Sequence, residues 1–322
     1  MKSFKIKKSQ AGGRLDKFLA ENLSDFTRGQ IQKLIKQGKV AVNENKILSH
    51  YNLKEGDKVK VLKTDFSVAV SSSIEKPLKT EMPDIKIVAE TDDYLVVNKP
   101  AGLTMHGADS IKEKTLADWL MEKYLEIKKV GEEKNRPGIV HRLDREASGL
   151  VAVARSQDFF LNLKDQFKSR KTEKEYTVLV YGRVDKEGDK ILFPIKRAQD
   201  GFRMAAMPIT DRGKDNLNRL GVREAITEFK IAKKFINFTL LKVKIKTGRT
   251  HQIRVHMFAY GHPLVGDDLY NTKKTREQNK KLNLGRVFLV ADKLSFYDKA
   301  GEKQTFTVGL PKELKEFLER VK

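Results

Sequence analysis

The alternation of apolar and polar residues predicts a small helix-and-sheet module at the N-terminal end of the chain. Leu15, Phe18 and Leu19 recur at helical spacing, and a second helix is predicted to begin at Thr27, where Thr27 and Gln30 form a capping box. The inner stripe of this second helix is Ile31, Leu34 and Ile35. Segment 38–48 then predicts two short strands around an Asn-rich turn, and segment 57–62 predicts one more strand. We place this module at residues 1–66.

A change of composition marks the end of this module. Residues 67–84 are rich in serine, contain Pro77 and Pro83, and show no sustained period. Such a segment is typical of a linker between domains. The remaining residues, 85–322, are therefore predicted to form a second domain.

Strands and helices alternate in this second domain. Strands are predicted in segments 85–102, 148–156, 174–184 and 238–248, and helices in segments 115–126 and 157–168. In the segment 238–248, Leu241, Val243 and Ile245 occupy one face and lysines the other, which indicates a strand with one wet face. Many strands with few interspersed helices predict an α+β fold built on a mixed, mostly antiparallel sheet.

The charge balance indicates the kind of partner that the protein binds. Lys and Arg total 65 against 43 Asp and Glu, which leaves a net charge of +22. A field of that sign attracts polyanions, and nucleic acid is the commonest polyanion in a cell. A lysine-rich protein without such a partner remains the alternative at this point, and charge does not identify the nucleic acid.

Composition also excludes several classes of protein. The chain contains no cysteine, which rules out disulfides, thiolate zinc sites, iron–sulfur clusters and cysteine nucleophiles. No apolar run reaches the roughly 18 residues of a membrane helix, and the opening segment MKSFKIKKSQ lacks the apolar core of a signal peptide. We therefore expect a cytoplasmic protein with no membrane partner.

Two segments carry candidate chemistry, and the first is PGIVHRLDREASGLVAVA, residues 137–154. A turn at Pro137-Gly138 and a buried strand over SGLVAVA leave HRLDREA as a polar loop between ordered elements. Loops held in this way commonly present reactive groups, although a solvated surface loop is the alternative that periodicity alone favours.

The second segment is TGRTHQIRVHMFAYGHPLVGD, residues 247–267. It predicts a helix that Thr250 caps and Gly261 ends, with Ile253, Met257 and Phe258 in an apolar stripe that includes Arg254. A buried arginine stays charged, so Arg254 requires a carboxylate or an anionic ligand. A loop aspartate such as Asp144 would meet that requirement.

The sequence gives no support for a metal or a cofactor. His251, His256 and His262 are close in sequence, but His251 and His256 lie about 140° apart around a helix. No HExxH, phosphate-binding or dinucleotide-binding pattern occurs. We therefore predict packing or RNA-facing histidines, no metal and no cofactor.

Four motifs in order resemble the RluA-type pseudouridine synthases. They are NKPAGLTMH, HRLDREASGL, KEYTVLV and TGRTHQIRVHM followed by GHPLVGD, and the resemblance covers about residues 85–322. It implies the pseudouridine synthase fold and an enzyme that isomerises uridine in structured RNA without a cofactor.

The resemblance also implies roles for four residues. Asp144 is the nucleophile, which attacks the sugar C1′ or assists formation of a glycal intermediate. Tyr176 stacks on the target base and is a candidate for the base that takes the C5 proton. Arg254 is the salt-bridge partner of the aspartate, and Arg142 fills the gap that the target base leaves in the RNA stack.

The N-terminal module is similar to the alpha-L RNA-binding domain of a ribosomal protein and of many RNA-modifying enzymes. The leading Arg-Leu-Asp and the Gly-x-Val-x-Val-Asn hairpin both match that domain. The resemblance implies RNA contacts from Arg14, Arg28, Lys33 and Lys36, and a solvated helix face is the alternative for any one of them. It favours large-subunit ribosomal RNA as the substrate, with transfer RNA second. The oligomeric state is open from the sequence, and the resemblance to the synthases suggests a monomer.

Two positions depart from the synthase motifs. The usual Leu-His-Ala near the C-terminal end is Leu289-Val290-Ala291 here, and Arg145-Glu146-Ala147 is an unusual middle for the HRLD loop. Neither departure replaces Asp144, Tyr176 or Arg254 itself. A catalytically silent RNA-binding or ribosome-assembly factor remains the competing hypothesis, and an RNA hydrolase is the weakest one because the chain lacks metal ligands.

Overall fold

A computed structural model describes most of the chain. The described residues are 2–23, 26, 31–32, 34–35, 38–49, 51–62, 82–107, 113–198, 200–201, 203–207 and 221–321. The chain divides into two compact units, residues 1–80 with 108–113, and residues 81–107 with 114–322. The predicted capping box of Thr27 and Gln30 and most of the predicted linker, residues 67–81, lie outside the described residues, so the boundaries of the linker stay a prediction.

The described part of the first unit contains a small sheet and a helix. Its elements are β1 (Lys2–Lys5), α1 (Leu15–Asn22), β2 (Val40–Val42), β3 (Asn45–Lys46) and β4 (Lys58–Val61). The strands pair antiparallel in the order β1-β4-β2-β3. The predicted turn between β2 and β3 carries Asn43 and Glu44 at φ 49° and 66°, which is the conformation of a tight hairpin turn.

Burial in this unit follows the apolar pattern of the sequence. Leu15, Phe18 and Leu19 of α1 are buried, as predicted. The predicted inner stripe of the second helix is also buried: Ile31, Leu34 and Ile35.

The second unit contains the remaining described elements. Its strands are β5 (Lys86–Glu90), β6 (Tyr94–Lys99), β7 (Ser148–Ala154), β8 (Glu173–Tyr181), β9 (Gly188–Ile191), β10 (Ile195–Arg197), β11 (Met204–Ala206), β12 (Thr227–Lys234), β13 (Phe238–Ile245), β14 (Leu289–Tyr297) and β15 (Lys303–Thr307). Its helices are α2 (Leu116–Lys123), α3 (Gln157–Lys168), α4 (Gln252–Ala259), α5 (Lys273–Leu282) and α6 (Lys312–Arg320).

One large sheet organises this unit. Nine strands pair in the order β5-β6-β7-β14-β8-β13-β12-β9, with β15 paired to β14 and a separate hairpin formed by β10 and β11. The pairings are antiparallel except that of β7 with β14, which is parallel. The prediction of an α+β fold with a mixed, mostly antiparallel sheet is confirmed.

Helices cover both faces of the sheet. Side chains alternate along a strand, so Val151 and Val153 pack on the face that α2 and α4 cover, while Leu150 and Ala152 pack on the face that α3 covers. This double burial explains why every residue of the strand SGLVAVA is buried. On β8, Tyr176 and Val178 lie on the first of these faces, beside α4.

The helix α4 differs from the prediction at two points. Its N-cap is His251 rather than Thr250, because His251 adopts a left-handed conformation, φ 54° and ψ 22°, before the helix begins. Ile253 and Met257 are buried as predicted, but Phe258 is 37% exposed. Phe258 directly follows Met257 and therefore lies about 100° further around the helix, away from the sheet.

Gly149 brings the strand that follows the HRLD loop against the middle of the sheet. Its φ is 123°, and a Cβ at this position would lie 2.2 Å from the carbonyl oxygen of Ala291 in the parallel neighbour β14. Glycine is therefore required here both by its backbone conformation and by the close approach of β14.

Candidate active site

The loop that carries Asp144 is fixed at several points. The backbone N–H of Ala147 donates to the carbonyl of Asp144 (3.2 Å), which closes a turn. At the start of the loop, the ring of His141 stacks on Phe167 (4.5 Å between centroids), and its Nε2 accepts a hydrogen bond from the N–H of Ala152 (2.9 Å). Asp144 is thus held on a polar loop between ordered elements, with its side chain 12% exposed.

A buried lysine ties this loop to a second one. Lys99, at the end of β6, is fully buried and donates to the carbonyls of Pro100 (2.9 Å), Leu103 (2.8 Å) and Arg145 (3.3 Å). Burial, with the nearby charge of Arg286, lowers the pKa of Lys99 to about 7. The lysine therefore positions the Asp144 loop through a backbone carbonyl.

Arg254 occupies the centre of a cluster of carboxylates. Its Nε and Nη2 donate to both oxygens of the buried Asp267, at 2.7 and 2.9 Å. Its Nη1 lies 3.1 Å from Glu146 Oε2 and 3.5 Å from Asp144 Oδ2. The buried Arg254 was predicted to require a carboxylate, and three carboxylates surround it. Asp267, rather than Asp144, forms the bidentate pair.

The surroundings of Arg254 fix its position and its charge. Its guanidinium lies over the ring of Tyr270, 5.4 Å from the centroid. Burial opposes the charge of Arg254, but the hydrogen bonds and charge of Asp267 outweigh burial and raise its pKa. Arg254 remains a cation, and its Nη1, which donates to Glu146, also lies within ion-pair distance of Asp144.

Tyr176 lies on β8 beside this cluster. It pairs with Ala291 of β14 and Val243 of β13 and is 6% exposed. Burial, and to a lesser degree the charge of Asp144, raises the pKa of its phenol. A phenol that stays protonated at neutral pH is a poor proton acceptor, so the environment favours the stacking role over that of the base.

These residues enclose a narrow cavity of about 50 Å³, here called the Asp144 cavity. It is lined by Arg142, Leu143, Asp144, Ala147, Tyr176, Ile245, Gly248, Arg249, Thr250, His251, Gln252, Ile253 and Leu289. A slot with one carboxylate, the ring of Tyr176 and several apolar side chains in its wall is suited to a flat ring attached to a sugar.

A wide basic groove adjoins the Asp144 cavity. The groove has a volume of about 640 Å³ and shares Arg142, Tyr176, Ile245, Gly248 and Arg249 with the cavity. No carboxylate of the described residues lines it, whereas its cations are Arg136, Arg142, Lys164, Lys168, Arg170, Lys174, Lys246 and Arg249. Such a groove is suited to a phosphate backbone.

The predicted RNA-binding residues have different outcomes. Arg142 is exposed and lines both the basic groove and the Asp144 cavity. In the first unit Arg14 makes a bidentate pair with the buried Asp16, at 3.0 and 2.9 Å, while its own side chain remains 42% exposed. Arg28, Lys33 and Lys36 lie outside the described residues. The RNA contacts of all five stay predictions.

The described residues contain no group of three or more His, Asp or Glu side chains that could hold a metal. His256 is buried in packing instead, with Nδ1 beside Thr227 Oγ1 (2.9 Å) and Nε2 beside the carbonyl of Phe193 (2.7 Å). Across the described ranges, no helix is long and apolar enough to cross a membrane.

Sequence reasoning missed Asp267, Lys99 and the position of His251. Asp267 ends the GHPLVGD segment, where an aspartate near a turn normally predicts a solvated loop. Lys99 had a signal, because a lysine that comes two residues after the apolar run YLVV and precedes a proline is unusual at the end of a buried strand.

Two family models match the chain. The family model described as RNA pseudouridylate synthase matches residues 93–259, which include Asp144, Tyr176 and Arg254. The model of the S4 domain, an RNA-binding module, matches residues 13–59.

Several proteins described as pseudouridine synthases are similar to this chain over most of its length. An uncharacterized RNA pseudouridine synthase from Aquifex aeolicus is 38% identical, over 94% of this chain and 92% of that protein. Ribosomal large subunit pseudouridine synthase C from Vibrio parahaemolyticus is 31% identical, over 90% of this chain and 87% of that protein. The solved structure of human RNA pseudouridylate synthase domain containing 1 superposes with a TM-score of 0.55 at 26% identity, and covers 71% of this chain and 84% of that one.

The fold and the two matched families are those of an RNA-modifying isomerase with an N-terminal RNA-binding domain. Its substrate class is RNA, and its reaction is the conversion of uridine to pseudouridine. The chain belongs to the RNA pseudouridylate synthase family, as the resemblance of its four motifs to the RluA-type enzymes predicted.

Proposed function

We propose that this enzyme converts uridine to pseudouridine in large-subunit ribosomal RNA with Asp144 as its nucleophile. The observation that supports this most directly is the position of Asp144, whose carboxylate lies 3.5 Å from the buried Arg254 in a cavity shared with Tyr176. A single carboxylate held beside a fixed cation is suited to attack on, or proton removal from, a sugar ring.

The proposed reaction balances without any redox partner. An oxygen of Asp144 attacks C1′, and the electron pair of the C1′–N1 bond leaves with uracil. The uracil turns in the cavity, C5 bonds to C1′, and the aspartate is released. The C5 proton is then lost and N1 gains a proton. The alternative course, through a glycal, has Asp144 remove a proton from C2′ instead.

The neighbouring residues have distinct proposed roles. Arg254 stabilises the negative charge of Asp144 before the attack and again when the carboxylate is released. Tyr176 stacks on the uracil and retains it while it is detached from the sugar. Arg142, at the boundary of the cavity and the basic groove, takes the place that the flipped base leaves in the RNA stack.

The basic groove supports a flipped substrate. A uridine within stacked RNA must leave the stack before its C1′ can react. Unstacking costs a few kcal/mol and therefore favours uridines in loops and bulges. Phosphate contacts in the groove offset this cost and make binding strongly dependent on salt. The choice of large-subunit RNA rests on the match to a ribosomal large subunit pseudouridine synthase and on the S4 domain, with transfer RNA as the second candidate.

Asp144→Asn is the first test of this function. Purified protein is incubated with ribosomal RNA and with transfer RNA from cells that lack the gene, without added metal or nucleotide, and pseudouridine is mapped by sequencing. We expect the wild type to form pseudouridine in large-subunit RNA. Because the amide is not a nucleophile, we expect Asp144→Asn to be at least about 10⁴-fold slower while its RNA affinity is unchanged.

Three outcomes would contradict this proposal. Wild-type protein that binds RNA but forms no pseudouridine would favour the binding-factor hypothesis. Product in transfer RNA alone would overturn the choice of substrate, and an Asp144→Asn variant with wild-type activity would overturn the nucleophile.

A truncation tests the role of the N-terminal module. Deleting residues 1–80 is expected to weaken RNA binding or narrow the set of modified uridines, because the S4 domain is lost. The remaining chain is expected to fold, as judged by the fluorescence of the single tryptophan, Trp119, which lies in the second unit. A truncated protein that cannot fold would refute the division into two domains.

A further inference from the structure

His251 lines the Asp144 cavity but has no part in the proposed function. It is half-buried, directly precedes α4, and shares the cavity wall with Asp144 and Tyr176. Its backbone is left-handed, with φ 54° and ψ 22°, a conformation that costs free energy for any residue with a side chain. The fold therefore maintains a strained residue at the cavity wall.

The hydrogen bonds around His251 determine which ring nitrogen carries the proton. The buried Tyr270 hydroxyl accepts a hydrogen bond from the N–H of Met204 (2.7 Å) and lies 3.0 Å from Nδ1 of His251. Among the described residues, Nδ1 is the one acceptor available to the hydroxyl proton of Tyr270. Tyr270 therefore donates to Nδ1, and a neutral His251 carries its own proton on Nε2.

The imidazole is neutral at physiological pH. Burial lowers the pKa of His251, and Arg254 acts in the same direction, while Asp144, Glu146 and Asp267 oppose them without reversing the shift. Nε2 has no hydrogen-bond partner within the part of the chain that the structure describes. His251 thus presents a neutral N–H group whose donor capacity is unused.

A neighbouring amide cannot supply the same donor. Gln252, also in the cavity wall, uses its two amide hydrogens on the carbonyl of Ile226 and the hydroxyl of Thr227, each at 3.0 Å. Cleavage of C1′–N1 leaves a negative charge spread over N1 and the carbonyl oxygens of uracil, which a hydrogen-bond donor in the cavity wall would stabilise. A neutral imidazole can stabilise such a charge by hydrogen bonding, without transferring its proton.

We propose that Nε2–H of His251 donates a hydrogen bond to a carbonyl oxygen of the target uracil while the base is detached from the sugar. The inference rests on the proposed function and adds a catalytic residue to it. No proton changes hands in this contact, so the balance of the reaction is unaffected.

The first experiment compares His251→Phe with His251→Gln. Phenylalanine keeps a ring without an N–H, whereas glutamine keeps an N–H at a similar distance from the backbone. We expect the single-turnover rate at saturating RNA to fall about 10²-fold in His251→Phe, which is the effect of removing one donor to a developing anion. We expect His251→Gln to retain most of the rate and both variants to keep the wild-type Kd for RNA.

The second experiment locates the hydrogen bond on the base. RNA with 2-thiouridine or 4-thiouridine at the mapped target replaces one oxygen acceptor by sulfur, which accepts hydrogen bonds weakly. One of the two substitutions is expected to slow the wild type but not His251→Phe, because the contact is already lost in the variant. A merely structural role for His251 would give slowing by the same factor in both proteins.

Several results would overturn the inference. They are wild-type turnover by His251→Phe, equal losses in the Phe and Gln variants, and thio-effects that are independent of the variant at both oxygens. If any of these occurs while Asp144→Asn is inactive, the proposed function stands and only the role of His251 fails. An active Asp144→Asn would instead overturn the proposed function itself.

Discussion

The cluster around Arg254 and the basic groove beside it are both rich in charge, but they compensate it differently. Arg254 is 3% exposed and faces three carboxylates, Asp267, Asp144 and Glu146. In the groove, Lys168 and Lys246 form no ion pair with any described residue. Three other groove cations, Arg136, Lys164 and Arg170, pair with exposed glutamates that do not line the groove. Buried charge that is fully compensated therefore positions a reactive group, whereas the exposed charge of Lys168 and Lys246 remains available to a polyanion.

Of the variants that test this comparison, Asp267→Asn is expected to have the largest effect. It removes the bidentate partner of a buried guanidinium and should lower the free energy of unfolding by about 3–5 kcal/mol. Urea unfolding followed by the fluorescence of Trp119 measures the stability of the second unit.

Glu146→Gln is the matched control for Asp267→Asn. Glu146 contacts the same guanidinium, but its side chain is 47% exposed. An exposed carboxylate contributes less than about 1 kcal/mol, so a small change is expected. Equal losses in the two variants would refute the distinction between the buried and exposed sides of the cluster.

The stability of the folded state is expected to depend on pH through His141, which lines the basic groove, and this effect is of intermediate size. Burial lowers its pKa to about 3, against an ordinary value of about 6.5 in the unfolded chain. Between these values the unfolded state binds more protons, so the folded state loses stability as the pH falls from 6.5 towards 3, by at most about 1.4 kcal/mol per pH unit.

A His141→Gln variant isolates this contribution. Glutamine can accept the hydrogen bond from the N–H of Ala152 but does not titrate in this range. The difference in unfolding free energy between wild type and variant, measured between pH 7 and pH 5, should shift in favour of the variant at the lower pH. A constant difference would show that His141 does not titrate between the two states.

The smallest effects are expected in the basic groove. In an Asp144→Asn background, which allows binding without turnover, Lys168→Ala and Lys246→Ala should each reduce the slope of log Kd against log salt by about 1. Lys280→Ala, on α5 and outside the groove, is the control and should leave the slope unchanged. Equal slopes in all variants would exclude the groove as the phosphate-binding surface.

The sequence predicted the second unit well because its signals are periodic and local. The alternation of Leu241, Val243 and Ile245 with lysines fixed the faces of β13, and the apolar stripe of α4 revealed that Arg254 is buried. The order of strands in the sheet depends on contacts between distant segments, so periodicity could not supply it.

Residues of the candidate site were predicted only where a recognisable sequence motif contains them. Asp144, Tyr176 and Arg254 came from recognisable segments, whereas the bidentate pair of Arg254 with Asp267 arises from a turn after α4 that no spacing rule identifies. The N-cap at His251 was missed because Thr250 is the better capping residue, and the left-handed backbone of His251 overrides that preference.

The close approach at Gly149 constrains the chemistry from a position that meets no substrate. A methyl group there would force β7 away from the carbonyl of Ala291, and the loop five residues upstream would be carried along with the strand. Arg254 belongs to a different helix and would stay behind. The lack of a Cβ at Gly149 therefore keeps Asp144 aligned with Arg254. A substitution at this glycine, which is outside the reaction centre, is expected to reduce activity.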